Sequence, residues 1–326
     1  MGADLMLIGL NLNVNDTVPE TVAKCQEAER LRLDYVWISD LPSQRYAPVV
    51  ASAAASATVK VRIGVGLISP FLHSPQQLAS TLTTLIEAYG ERFELCLGPG
   101  DREQLRRVGV NLDATEGIPQ YLMSAKSEIH GILEKRGLNC RIWLGAQGPR
   151  LLKIASSFYG VLLNYSSPRL IEWALDHIPR TGAGLPANVG VFAPAYVYRR
   201  FNPKIFRILK YASATVALGA SRSVLTEFSL SKMLDPALRK LRSGPLDSSV
   251  LELIPRKVIE EFSILKSQED LRPYLDRLER LGVEHVVFAY PQGLTIETII
   301  ELAESLDRRT AWTSRVEKRA DISSDY

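Results

Sequence analysis

The chain has 326 residues, 46% hydrophobic and 23% charged, with a formal net charge of +3. This is ordinary globular composition, with length enough for a large buried core. The small charge and the lack of a dense Lys/Arg run argue against a nucleic-acid partner. Cys25, Cys96 and Cys140 lie far apart and form no CxxC, which fits a reducing interior and makes the cytoplasm the expected location. The four histidines, His73, His130, His177 and His285, show no ligand spacing, so no metal site is expected. No apolar run reaches membrane-spanning length, and the opening residues are unlike a signal peptide.

Short apolar runs alternate with longer stretches of helical period. Leu5–Leu12 is the first run, and a helix follows over Thr21–Leu33 behind Pro19 and Glu20. Tyr35–Ser39 is the second, with an alanine-rich helix over Ala47–Thr58. Val59–Ile68 is the third, with a helix over Ser74–Tyr89. Phe93–Leu97 is the fourth, closed by Gly98-Pro99-Gly100-Asp101, with a long helix over Pro119–Lys135. Arg141–Leu144 and the helix Pro149–Ser157 come next, then Val161–Asn164 and Pro168–His177. Asn188–Tyr198 is the seventh run. A helical block over Pro203–Leu281 breaks at Ser243-Gly244-Pro245. His285–Tyr290 is the eighth run, Ile296–Leu306 the last helix, and a polar tail occupies 309–326.

Eight strand–helix units in this length predict a parallel α/β sheet closed as a (β/α)8 TIM barrel, one domain over residues 1–308. The alternative is an open doubly wound sheet, but the first strand-to-helix turn has no glycine-rich phosphate loop.

Function in a barrel sits at the C-terminal strand ends. Gly64 and Gly66 in the third strand point either to backbone bared for a flat ligand ring or to a packing bulge. Gly145-Ala146-Gln147-Gly148-Pro149 and Asn164-Tyr165-Ser166-Ser167-Pro168 each open a helix with small or polar residues. Both are helix caps or, as adjacent units, a phosphate site. Asp40, at a strand tip, serves a coenzyme ring or proton relay, or else caps a helix. Asp101 reads as a turn residue, and His73 lies near the mouth.

Taken with Tyr35–Asp40, Gly64–Pro70, Gly98–Asp101, Gly145–Pro149 and Gly160–Asn164, the chain resembles the luciferase-like flavin and deazaflavin oxidoreductases. Within them it is most like the methylenetetrahydromethanopterin reductase branch, which uses coenzyme F420. The resemblance implies a third-strand bulge with a non-proline cis peptide near Gly66-Leu67, backing the coenzyme ring. It implies coenzyme contacts at Asp40, Gly66, Leu67, Ile68, Ser69, Gly98, Gly145, Ala146, Gln147, Gly148, Asn164, Ser166 and Ser167. Asp40 and Asn11 hold the catalytic positions, Asn11 standing where the branch has glutamate. Leu41 stands where the branch has histidine, and the region before Arg141 is shorter than usual. The implied activity is hydride transfer between F420 and a small organic substrate such as a reduced pterin. The alternatives are an FMN-dependent luciferase-like enzyme and a coenzyme-binding barrel without catalysis. The alanines Ala51, Ala53, Ala54, Ala55 and Ala57 either pack on the barrel or permit a homodimer, the assembly that the resemblance favours.

Overall fold

The computed structural model describes residues 6–12, 14–42, 44–112, 117–180, 188–242 and 244–307, so the tail expected at 309–326 lies outside it. The elements are β1 (Leu7–Leu12), α1 (Val18–Arg30), β2 (Tyr35–Ile38), α2 (Ala47–Ser56), β3 (Arg62–Ile68), α3 (Pro75–Tyr89) and β4 (Phe93–Leu97). There follow α4 (Arg102–Arg107), α5 (Ile118–Glu134), β5 (Arg141–Ala146), α6 (Pro149–Leu152), β6 (Gly160–Leu163), α7 (Pro168–Asp176) and β7 (Asn188–Tyr198). Next come α8 (Pro203–Leu218), α9 (Arg222–Glu227), α10 (Ser231–Leu241), α11 (Ser248–Leu251) and α12 (Arg256–Phe262). The last are β8 (Ile264–Ser267), α13 (Gln268–Arg280), β9 (Val283–Ala289) and α14 (Ile296–Ser305).

Strands β1 to β6 pair in chain order, β6 pairs with β7, β7 with β9, and β9 with β1, all parallel. The ring closes, so this is the expected (β/α)8 barrel, built from β1–β7 and β9. The helical block expected over 203–281 needs correction, because it contains β8. That strand pairs with the outer half of β7, Ala195–Tyr198, beyond the point where β7 has left the ring. Four residues between two helices carry too little period-two signal to be read alone. The helix α4 was also not expected. Asp101 caps it, Oδ1 accepting from Gln104 N at 2.8 Å.

Local chemistry explains several boundaries. Thr17 and Glu20 form a capping box, so α1 starts at Val18 rather than Thr21. Ser74 and Gln77 do the same for α3, with Pro75 in the first turn. The third strand starts at Arg62 rather than Val59. The Glu29 carboxylate accepts the N–H groups of Val59, Lys60 and Val61 at 2.8–3.1 Å and withdraws them from the sheet.

The barrel has an apolar layer between strands and helices and a separate interior cluster of Tyr35, Trp37, Cys96, Trp143, Leu162 and Val287. Side chains alternate in and out along each strand. Fully buried Leu10, Ile63 and Phe93 contribute about 1.5–3 kcal/mol each. Low in the barrel the filling is polar. The fully buried Glu94 accepts from Tyr35 Oη at 2.7 Å, Arg62 Nε at 3.0 Å, Arg141 Nη1 at 3.3 Å and Trp143 Nε1 at 2.6 Å. A buried carboxylate persists only when matched in this way. Burial, and then the Glu94 charge, push the Tyr35 phenol up. Above them, Trp37 Nε1 donates to His285 Nε2 at 3.0 Å, and His285 Nδ1 lies 3.1 Å from the Leu7 carbonyl. Those partners require the neutral Nδ1–H imidazole, and burial lowers its pKa to about 4.

The third strand carries the expected bulge: its register with β4 shifts between Val65 and Ile68, and Gly66-Leu67 is a cis peptide. Its glycines are explained by the protein's own side chains. A Cβ on Gly64 would stand 2.2 Å from the Trp37 ring, and one on Gly66 would stand 2.5 Å from Cys96 Cβ. The flat ring lying on Gly64 is therefore an indole, and Cys96 packs where a Gly66 side chain would stand.

Candidate active site at the barrel mouth

At the C-terminal rim the alternation of β1, β2, β4, β5, β6 and β7 directs Asn11, Ser39, Gly98, Gly145, Gln147, Asn164 and Phe192 inward. The bulge adds Leu67. A Cβ on Gly98 would lie 2.2 Å, and one on Gly145 2.4 Å, from Leu67 Cδ1. Both glycines thus exist to admit the Leu67 side chain. It stays partly exposed and floors the mouth.

Two amides stand beside this floor. Ala146 pairs with Leu163, so Gln147 and Asn164 follow on adjacent strand ends. Gln147 Nε2 and Asn164 Oδ1 are buried atoms with no hydrogen-bond partner. A buried donor and a buried acceptor left open cost about 1–3 kcal/mol each, a cost that a polar ligand would remove.

The other expected residues divide. Asn11 Nδ2 donates to the Trp37 carbonyl at 3.0 Å and to Ser39 Oγ at 2.9 Å, which ties β1 to β2. An amide held so cannot carry a proton. The Asp40 side chain is 6% exposed. Its Oδ2 lies 2.8 Å from His73 Nε2, and its Oδ1 accepts from Ala47 N at 3.4 Å at the start of α2. The capping alternative thus describes one oxygen, and the other orients a histidine. Ser69 Oγ donates to the Pro99 carbonyl at 2.9 Å, joining the β3 and β4 loops. Ile68 and Ala146 turn their side chains into the core behind the strands, leaving only their backbone for a ligand.

Of the two expected phosphate loops, the second is engaged within the chain. Ser166 N and Ser167 N both donate to the Glu261 carbonyl, at 3.1 and 3.2 Å. The Ser166 carbonyl accepts from Tyr274 Oη at 2.9 Å. Gly148 caps the single-turn α6, and a Cβ there would be 3.0 Å from Ser221. The mouth residues therefore come together at Leu67, Gly98, Gly145, Gln147 and Asn164, while Ser166 and Ser167 stand behind, held by α12.

Sequence reading passed over Phe192. Its ring meets Trp37 at 6.0 Å, edge on, and remains partly exposed at the mouth. Counting in twos along Asn188, Gly190 and Phe192 would have found it. Cys96, beneath Gly66, is no nucleophile, since burial pushes its thiol up. Among the described residues no group of three His, Cys, Asp or Glu side chains could hold a metal ion. None of the described helices is long and apolar enough to cross a membrane.

Residues 7–118 match the family model described as luciferase-like monooxygenase. The 5,10-methylenetetrahydromethanopterin reductase of Archaeoglobus fulgidus is 26% identical, over 84% of this chain and 90% of that protein. The coenzyme F420-dependent tetrahydromethanopterin reductase of Methanopyrus kandleri has a similar structure, with TM-score 0.80 and 22% identity over 92% of this chain and 98% of that one. A type II Baeyer-Villiger monooxygenase from Pseudomonas putida, solved with FMN, has TM-score 0.62 and 12% identity over 92% of this chain and 98% of that one. Family model, reductase relative and shared fold bear out the resemblance read from the strand motifs: the chain is similar to the luciferase-like proteins and, along most of its length, to the methylenetetrahydromethanopterin reductases.

Proposed function

We propose that the protein is a coenzyme F420-dependent oxidoreductase acting on a small organic substrate, with a reduced pterin such as methylenetetrahydromethanopterin as the substrate class. The observation that carries this reading is the open pair of amides, Gln147 and Asn164, beside the Leu67 floor. It lies in a chain similar to such a reductase over most of its length. The residues fit a planar heterocycle. Leu67 and Phe192 offer apolar contact, Gln147 Nε2 a donor and Asn164 Oδ1 an acceptor for its polar edge. Bound there, the deazaflavin supplies hydride exchange at its C5. The protein fixes the ring's position through the bulge at Gly66-Leu67. Asp40 acts through His73, holding the imidazole at the rim. With Asn11 engaged by Trp37 and Ser39, a proton needed by the substrate would pass through the Asp40–His73 pair rather than the first strand.

FMN in the same mouth is the second reading, supported by the FMN-bound monooxygenase of like fold. A barrel that binds coenzyme without catalysis is the third, supported by the amide at Asn11. We place the protein in the cytoplasm, consistent with its three free cysteines. We also propose a homodimer, with the partly exposed Ala53 and Ala57 on the face it would use. Ala51, Ala54 and Ala55 are 0–2% exposed within one chain and pack on the barrel, whereas Val49 on the outer face of α2 is 61% exposed.

The test of the site is a fluorescence titration of F420 against the Gln147→Leu, Asn164→Leu double variant. Binding at least roughly tenfold weaker than wild type is expected, the equivalent of one lost hydrogen-bonded pair. Unchanged affinity would remove the amides from the site.

A further inference from the structure

Residues 177–226 hold no Asp or Glu, yet they contain seven Lys and Arg. Five of these, Arg199, Arg200, Lys204, Arg207 and Lys210, fall within twelve residues. Apolar residues lie between them, which hides the cluster from a search for basic runs. The whole chain carries +3, so everything outside this segment carries −2. The stretch is thus strongly positive on a chain whose remainder is slightly negative.

The structure displays it as a surface. Lys204, Arg207 and Tyr211 follow one another at helical spacing on the solvent face of α8, and Tyr211 is 49% exposed. At the start of α8, Arg200 and Phe201 project beyond the barrel, with Phe201 46% exposed. The segment is built rather than loose. Tyr196 Oη accepts from Asn202 N at 2.7 Å. A run of rings leads outward from buried Tyr196 through Tyr198 and Phe201 to Phe206, with centroids 5.1, 5.4 and 5.5 Å apart.

The charges are not answered from within. Glu301 lies within electrostatic reach of Arg199. Arg200, Lys204, Arg207 and Lys210 have no ion pair among the described residues. On the neighbouring α12, Glu260 is paired with Arg256 and Glu261 with Arg169. Lys204 and Arg207 repel each other at i, i+3, and both stand early in the helix, where its dipole disfavours cations. In the isolated chain the arrangement is unfavourable, and an anionic partner would add attractions that offset these repulsions.

We propose that this face, from Arg200 to Tyr211, docks an acidic segment of a partner protein that also carries apolar side chains. The footprint is that of a peptide segment, since Lys204 to Tyr211 alone spans about 10 Å of helix. The exposed aromatics set among arginines match the composition of protein interface cores. The negative remainder of the molecule denies a duplex or an anionic membrane the wide positive field it needs. The ordered loop lowers the entropy lost on binding.

The test uses the full chain and a labelled synthetic peptide of about twelve residues, rich in Glu with two Leu, followed by fluorescence polarisation. The control peptide has Gln at every Glu. The acidic peptide is expected to bind and to weaken with salt, while the control does not bind. Lys204→Glu with Arg207→Glu should weaken it by roughly tenfold or more with the melting temperature unchanged or raised, and Phe201→Ala should weaken it by severalfold while the protein stays folded. Equal binding by wild type and the charge-reversed variant would overturn the proposal. So would tighter binding of a duplex oligonucleotide, or of phosphatidylserine vesicles, than of the acidic peptide.

Discussion

Single atoms decide several features of this barrel. Gly145 lacks a side chain because Leu67 occupies the place a Cβ would take, 2.4 Å from Leu67 Cδ1. Gly145→Ala should therefore cost about 1–3 kcal/mol by overpacking. Leu67→Ala in the same chain should return part of that loss, as a double-mutant cycle in urea would show; additive effects would contradict the contact. Glu94→Gln should cost about 1–3 kcal/mol in the same assay, because an amide cannot accept all four of the hydrogen bonds that the buried carboxylate takes, while the two guanidinium groups keep solvent access. A loss under 1 kcal/mol would mean that the cluster is wetter than its burial indicates.

His285 makes stability depend on pH. Its pKa falls from the ordinary 6.5 to about 4 in the folded chain. Between those values the unfolded chain binds the extra proton, so stability rises with pH across that window and is lost as pH falls through it. The lowering amounts to about 2 kcal/mol between pH 7 and pH 5. Urea unfolding should show wild type losing that much more than His285→Gln over the same interval. Parallel losses in the two proteins would rule the histidine out as the cause.

At the scale of elements, the strands that form the ring were legible, since each is an apolar run bounded by turn residues. The bulge was legible only through resemblance. Period and composition left Gly64 and Gly66 equally open to ligand or packing, and the positions of Trp37 and Cys96 show the packing that both glycines serve. β8 was illegible because its neighbours are helical on both sides and its partner is the overhang of β7 rather than the ring. The Asp40–His73 pair joins residues 33 apart in sequence, and no local pattern announces such a contact. The capping boxes, by contrast, are written in Thr17-x-x-Glu20 and Ser74-x-x-Gln77. Ser74→Ala should cost about 1 kcal/mol, read as a lowered unfolding midpoint in urea; an unchanged midpoint would show that α3 stands on packing alone.

For the whole molecule, the fold and the site tell different amounts. A closed parallel barrel requires only strands and helices in alternation, which is why it could be read at such low identity to known chains. The chemistry depends on what the rim presents. Here the inward-facing strand ends bring amides, a hydroxyl, small residues and two apolar side chains together, and the ionisable Asp40–His73 pair stands at the edge. Such a mouth suits the proposed reading, in which it would position a neutral ring and leave bond-making to a coenzyme. The most direct test is a titration of the purified protein with coenzyme F420 and, separately, with FMN, followed by fluorescence. The account predicts micromolar or tighter binding of F420 with little affinity for FMN. Tight binding of FMN alone, or of neither, would contradict it.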